Sequence, residues 1–188
     1  ISDTCVQTAD RLNGEADYAG GLTHFGRDVL REMNRLGIVA DVSHLSDKGF
    51  YDVAEIAEKP FIASHSNSRA LCPHPRNLTD DMFRAIVQTG GVAGYNVCAE
   101  FTGGKPTLDT MCDHILHFME LDPSGKHIAL GGDLDGISEM PAGFEGVQSW
   151  PALARRLLER GLDEGTVGNI FWNNAIGVME CAVCDHAK

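Results

Sequence analysis

The chain has 188 residues, with 15 Lys+Arg against 27 Asp+Glu and a formal net charge of −12. Its longest basic cluster is the pair Arg155-Arg156, so the clustered positive charge that binds phosphates is missing and no nucleic-acid partner is expected. Apolar residues make up 43% and charged residues 22%, too apolar for disorder, and no run approaches the 18 uncharged apolar residues of a membrane span. The length suits one domain but falls short of the roughly 250 residues typical of an eight-fold β/α barrel.

The first residue is Ile rather than Met, with no charged-then-apolar leader, so no targeting signal is visible and the start is expected to follow a cleavage or a missing upstream part. Residues 26–36 place Val29, Leu30, Met33 and Leu36 on one helical face, and Gly37 is a natural stop. Ile38-Val-Ala-Asp-Val42 follows as a short buried strand. Ser46 caps a second helix, with Phe50, Val53, Ile56 and Ala57 inward, that ends before Pro60. Phe61-Ile-Ala-Ser64 is the next strand, and a Ser-, Asn-, Pro- and Arg-rich loop leads to a third helix opened by Thr79-Asp-Asp81. After Gly90-Gly91 comes the strand Val92-Ala-Gly-Tyr-Asn96. A helix from about Thr107 to Glu120 carries Met111, Ile115, Phe118 and Met119 inward, and His127-Ile-Ala-Leu130 is the fourth strand. A Gly- and Pro-rich loop runs from Gly131 to Gln148. Ser149 caps a helix with Leu153, Leu157 and Leu158, and a final helical stretch holds Val167, Ile170, Phe171, Ile176 and Met179. Short apolar strands alternating with amphipathic helices predict parallel strands covered by helices, either a doubly wound sheet or a barrel. Gly131-Gly132-Asp133 lacks the spacing of either nucleotide fingerprint, which disfavours the doubly wound nucleotide binder.

Six Cys are too sparse for a disulfide scaffold, and the compartment stays open. Cys181-Ala-Val-Cys184 has redox or half-zinc spacing, but its place on the last helix favours an ordinary helix face. Asn77-Leu-Thr79 matches the glycosylation sequon, a match that is cheap by chance.

Polar residues of ligating type gather where strands end: Asp-Val-Ser-His44, Ser-His65-Ser, Tyr95-Asn96 and Gly-Gly-Asp133-Leu-Asp135-Gly. In a barrel those ends converge on the face that carries active sites. His44 and His65 lie 21 positions apart, one β/α unit, which puts them on neighbouring strands within reach of one metal ion. A lone His at a strand end is more often hydrogen-bonded packing than a ligand; two in equivalent positions, followed by an acidic residue in a third, bring the readings level. Asp41 is read as structural, pointing to the other face of its strand, and Asp135 as tying the turn at Gly136. His24, His74, His114, His117, His127 and His186 read as surface or helix positions, with the i,i+3 pair His114 and His117 on a solvated face.

A series of motifs occurs in order: Leu22-Thr-His-Phe-Gly26, Arg31-Glu-Met-Asn-Arg-Leu-Gly37, Asp41-Val-Ser-His44, Ser64-His-Ser66, Pro75-Arg-Asn77 with Asp80-Asp81, Gly131-Gly-Asp-Leu-Asp-Gly136, and Pro141-Ala-Gly-Phe-Glu145 followed by Trp150-Pro151. From about Gly20 to Val178 this series resembles the membrane (renal) dipeptidase family of zinc peptidases. The resemblance implies a (β/α)₈ TIM barrel with two Zn²⁺ ions bridged by a carboxylate and a water. His44 and His65 match the histidines of the second zinc, Arg76 the arginine that grips the substrate carboxylate, and Asp133 the aspartate expected to pass the proton of the metal-bound water. The first zinc's His-x-Asp pair and the bridging Glu have no counterpart here. Near the family's substrate-contacting His stands Asp3, loosely aligned.

Residues 1–188 are thus expected to be the carboxyl-terminal half of one dipeptidase barrel, about its last four β/α units. The substrate is expected to be a small dipeptide. Open sheet edges imply association with a missing amino-terminal half or a second copy. The competing readings are a non-catalytic barrel fragment without the binuclear centre, and a related metal-dependent amidohydrolase acting on non-peptide amides.

Overall fold

The computed structural model describes residues 20–184. Asp3 and His186 lie outside them. The two regular strands, β1 (Ala93–Asn96) and β2 (Ile128–Gly132), pair in parallel, with Ala93 opposite Ile128 and an irregularity between Tyr95 and Asn96. Isolated parallel bridges extend this ladder: Ala63 pairs with Ala93, and Asp41 with Ile62. Segments 40–42, 61–63, β1 and β2 therefore lie side by side in sequential order. No central reversal interrupts them, as expected for a barrel-like rather than a doubly wound arrangement.

Each connection is helical: α1 (His24–Leu36) precedes the first extended segment, then come α2 (Asp47–Ile56), α3 (Asp80–Thr89), the short α4 (Ala99–Thr102) with α5 (Leu108–Leu121), and after β2 α6 (Trp150–Glu159), α7 (Glu164–Gly168) and α8 (Asn174–Cys184). Thr23, Ser46, Thr79 and Thr107 cap α1, α2, α3 and α5 through their side-chain oxygens. Ser149 does not cap α6 as expected; its hydroxyl accepts the Glu145 N–H instead. Gly37 and Gly90 end α1 and α3 in the left-handed conformation, which costs a residue without Cβ nothing.

The helices close a main core over the extended segments, with Phe61, Phe83, Ile86, Ile115, Ile128 and Leu153 fully buried, and Val92, Ala129 and Val178 form a smaller second cluster. Phe83 and Phe118 stack face to face across α3 and α5, centroids 4.2 Å apart. Leu158 on α6 is exposed rather than inward, only Leu153 and Leu157 being buried there, and two other apolar stripes depart from expectation. Leu36, at the end of α1, and Ile38 are about half exposed; the left-handed turn at Gly37 carries Ile38 off the helix face. Ile176 and Met179 point outward while Val178 and Ala182 are buried. A π-helical turn over Asn169–Asn173 inserts extra rotation before α8 and moves the inward face off the uninterrupted 3.6-residue period. Cys181 is a free, exposed thiol on α8, in keeping with the helix-face reading; no helix among the described residues is long and apolar enough to cross a membrane.

Candidate active site

The carboxyl ends of the four extended segments deliver His44, His65, Asn96 and Asp133 to one face. His44 and Asp133 are the only non-glycine residues with positive φ among those described, at 78° and 62°. Left-handed backbone is uncommon for side-chain-bearing residues and is held in place only by surrounding structure. At Asp133 that structure is a tight turn: its N–H donates to the Gly131 carbonyl, and its own carbonyl accepts the Gly136 N–H. The turn expected of Asp135 is closed by Asp133, and Asp135 is exposed.

His44 and His65 face each other with Nε2 atoms 2.8 Å apart. Burial, then the positive charge of Arg76, then His65 push the His44 imidazole down to about 4. Burial first and Arg76 second likewise lower His65. Both rings are therefore neutral at neutral pH, the form in which imidazole coordinates a metal. Two nitrogens on one tetrahedral zinc sit about 3.3 Å apart at bond lengths of roughly 2.0–2.1 Å, so a small opening of the pair suffices. Among the described residues no group of three or more His, Cys, Asp or Glu side chains is placed to hold a metal.

Both sides of this pair are tied down. The His65 N–H donates to Ser43 Oγ, and Asn96 Nδ2 donates to the His65 carbonyl. Asp41 does not merely face away from the site, as expected from alternation. Its carboxylate accepts the Ser43 N–H, the Ser64 N–H and, at 2.5 Å, the Ser64 hydroxyl. It thereby bonds the two extended segments that end in the histidines.

Asp133 reaches the same cavity, of about 240 Å³, that His44, His74, Arg76, Cys98, Phe101 and Ile137 also line. Asn96 Nδ2 donates to Asp133 Oδ2 at 3.2 Å, and Asn96 Oδ1 accepts the Cys98 N–H. Arg76 is buried, with its guanidinium carbon 5.5 Å from the centre of the Phe101 ring. Its N–H donates to His74 Nδ1, and the His74 ring packs on Phe101 at 4.5 Å. The structure thus brings His44, Arg76 and Asp133 around one cavity, with His65 against His44.

Sequence reasoning missed the scaffold behind these groups. Asn77, read there as a sequon, is 1% exposed. Its amide donates to the Cys72 and Phe101 carbonyls, and its oxygen accepts the Asn67 N–H, so no space remains for a glycan. Asn67 in turn pairs with the Asn96 backbone in both directions, linking the Arg76 loop to the residue that holds Asp133. His114 is also buried rather than solvated, at 1% exposure. Its Nδ1 accepts the Ser68 N–H and its Nε2–H donates to the Thr102 carbonyl, both at 3.1 Å. His117 follows the surface reading more closely, bonding Asp80 at 2.8 Å. Asn67 and Asn96 stood next to strand ends in the sequence and Asn77 just before the cap of α3, but nothing in their spacing signalled burial.

The sequence profile of the membrane dipeptidases, peptidase family M19, matches residues 2–186. An uncharacterised dipeptidase of Schizosaccharomyces pombe is 38% identical over 185 residues, covering 94% of this chain and 45% of its own length. A dipeptidase of Claviceps purpurea is 34% identical over 173 residues, 90% of this chain and 40% of its own. A metallopeptidase of Rhodobacter sphaeroides, solved with a phosphinate mimic of the dipeptide L-Ala-D-Ala, superposes with a TM-score of 0.81 at 33% identity, over 86% of this chain and 47% of that one. The chain spans about half the length of the relatives it matches, and its mixed α/β fold is of the TIM-barrel type those metallopeptidase structures share. With the motif series, the fold and the profile in agreement over nearly every residue, this chain belongs to the membrane dipeptidase family of metallopeptidases.

Proposed function

We propose that the chain forms the carboxyl-terminal half of a zinc dipeptidase barrel, its last four of eight β/α units, and that the assembled barrel hydrolyses small dipeptides. The observation that carries this reading is the pair His44 and His65, Nε2 to Nε2 at 2.8 Å, at the ends of adjacent extended segments and beside a cavity lined by Arg76 and Asp133. Two neutral imidazoles on a fixed backbone are a donor set suited to zinc. His44 and His65 would hold the zinc, which would supply the chemistry of a lowered pKa for a bound water and of polarising the scissile carbonyl. Arg76 binds the free carboxylate of the dipeptide through its two-pronged donor set, held against Phe101. Asp133 takes up and returns a proton at its carboxylate, oriented by Asn96.

The remaining ligands come from upstream of this chain in this reading. The outer edge of β2 pairs with no strand among the described residues, which supports association with an amino-terminal half. A second reading is a non-catalytic unit that keeps the fold, since among the described residues no group of three or more His, Cys, Asp or Glu side chains could hold a metal.

The test is zinc content and dipeptide hydrolysis of the complete barrel. Two zinc ions per assembled site, activity lost to a chelator and restored by zinc, and less bound zinc in His44→Ala and His65→Ala are expected. Unchanged zinc stoichiometry in both variants returns the histidines to packing and overturns the assignment.

A further inference from the structure

We propose that Ser64 is a positioning residue that sets the tautomer of His65, relaying the Asp41 carboxylate to the imidazole so that Nε2 carries no hydrogen and turns its lone pair toward His44, which lines the cavity. The geometry admits one proton arrangement. Ser64 Oγ lies 2.5 Å from Asp41 Oδ2 and 2.6 Å from His65 Nδ1, and both contacts are too short to lack a hydrogen. A hydroxyl has one hydrogen to donate. Asp41 stands here as the acceptor: its Oδ1 already accepts the N–H groups of Ser43 and Ser64. The Ser64 hydrogen therefore goes to Asp41, and the hydrogen in the second contact belongs to His65 Nδ1.

That leaves His65 Nε2 unprotonated in a neutral ring. The 2.8 Å contact with His44 then has His44 Nε2–H as donor and His65 Nε2 as acceptor. Metal-ligating histidines as a class give their second ring N–H to a carboxylate, carbonyl or water, which fixes the ring and raises its basicity. Here a serine stands between, and the His65 backbone is anchored by its own N–H to Ser43 Oγ. The relay needs both segments: Asp41 lies on the first and Ser64 on the second, joined by the Asp41–Ile62 bridge.

The use of this tautomer for zinc rests on the function proposed above, whereas the tautomer itself does not. Two measurements separate them. The first is long-range ¹H–¹⁵N correlation NMR of the imidazoles in metal-stripped protein near pH 7.5. His65 is expected with a protonated Nδ1 and a bare Nε2 in the wild type and in Ser64→Thr, which keeps the hydroxyl. In Ser64→Ala it is expected to shift toward the Nε2–H form that free histidine prefers. An Nε2–H tautomer in the wild type, or a tautomer unmoved by Ser64→Ala, overturns the relay. The second is zinc affinity of the complete barrel by competition with a chelator: about 10- to 100-fold weaker for Ser64→Ala, the usual cost of losing an outer partner, and within a few-fold for Ser64→Thr. Equal affinity in all three proteins overturns the relay's role in binding. Undiminished zinc in His65→Ala would sink the metal reading and leave the NMR result standing.

Discussion

His114 offers the sharpest test of how the loop carrying Arg76 is held. Its ring sits on α5 with 1% exposure and bonds two backbone groups from different segments, the Ser68 N–H and the Thr102 carbonyl. His114→Phe keeps a ring and removes both nitrogens. Ser68 and Thr102 are themselves buried, so each backbone group loses its partner away from water, at about 1–3 kcal/mol apiece. The gain from a more apolar ring offsets roughly 1 kcal/mol, and a net loss of about 1–5 kcal/mol is expected, a large share of the 5–15 kcal/mol typical of a domain. The variant also predicts a change with pH. Burial holds His114 below the ordinary imidazole value, so as pH falls below about 6.5 the unfolded chain takes up a proton that the folded chain refuses. The stability owed to neutral His114 is whole above that pH and is lost as pH falls toward the folded value, at up to about 1.4 kcal/mol per pH unit for one proton. His44, His65 and His74 are lowered as well, so the informative quantity is the difference in slope between wild type and variant. Urea unfolding followed by circular dichroism at about pH 7.5 and about pH 5.5 measures both effects. A loss under about 1 kcal/mol at the higher pH, with the same slope in both proteins, would refute the hydrogen-bonding account.

In the complete barrel, Arg76→Met should mainly raise KM, as should amidation of the dipeptide's carboxylate, because that contact is present before and during reaction. Asp133→Asn should lower kcat by roughly 10²–10⁴-fold with KM little changed; full kcat with zinc retained would make Asp133 structural. Gly131→Ala should lower Tm sharply, since a Cβ there would lie 1.9 Å from the Ser64 carbonyl oxygen and 3.0 Å from His65 Cα, and backbone has to move. In contrast Gly168→Ala, in α7 with nothing within 4 Å, should gain about 0.5–1 kcal/mol by denaturant titration. Asn77→Ala should cost roughly 2–4 kcal/mol for three lost buried hydrogen bonds, and mass spectrometry of protein made in a secretory host should find no glycan on folded material.

What the sequence by itself determined is whatever depends on near neighbours. Ser46, Thr79 and Thr107 marked helix starts, Gly37 and Gly90 marked helix ends, and short apolar runs marked parallel extended segments, because capping and periodicity act within a few residues. The placement of His44, His65 and Asp133 at strand ends was legible for the same reason, since a β/α repeat puts every strand end on one face. Tertiary structure decided the rest. Burial of His114 and Asn77 could not be read from sequence, because a polar side chain goes inside only where distant backbone groups need its bonds, and those groups are brought in by other segments. Asp41 looked like the wrong face of a strand until the next segment set Ser64 against it. The outward turn of Ile176 and Met179 came from the π turn before α8, which breaks the period that a pattern argument assumes to continue.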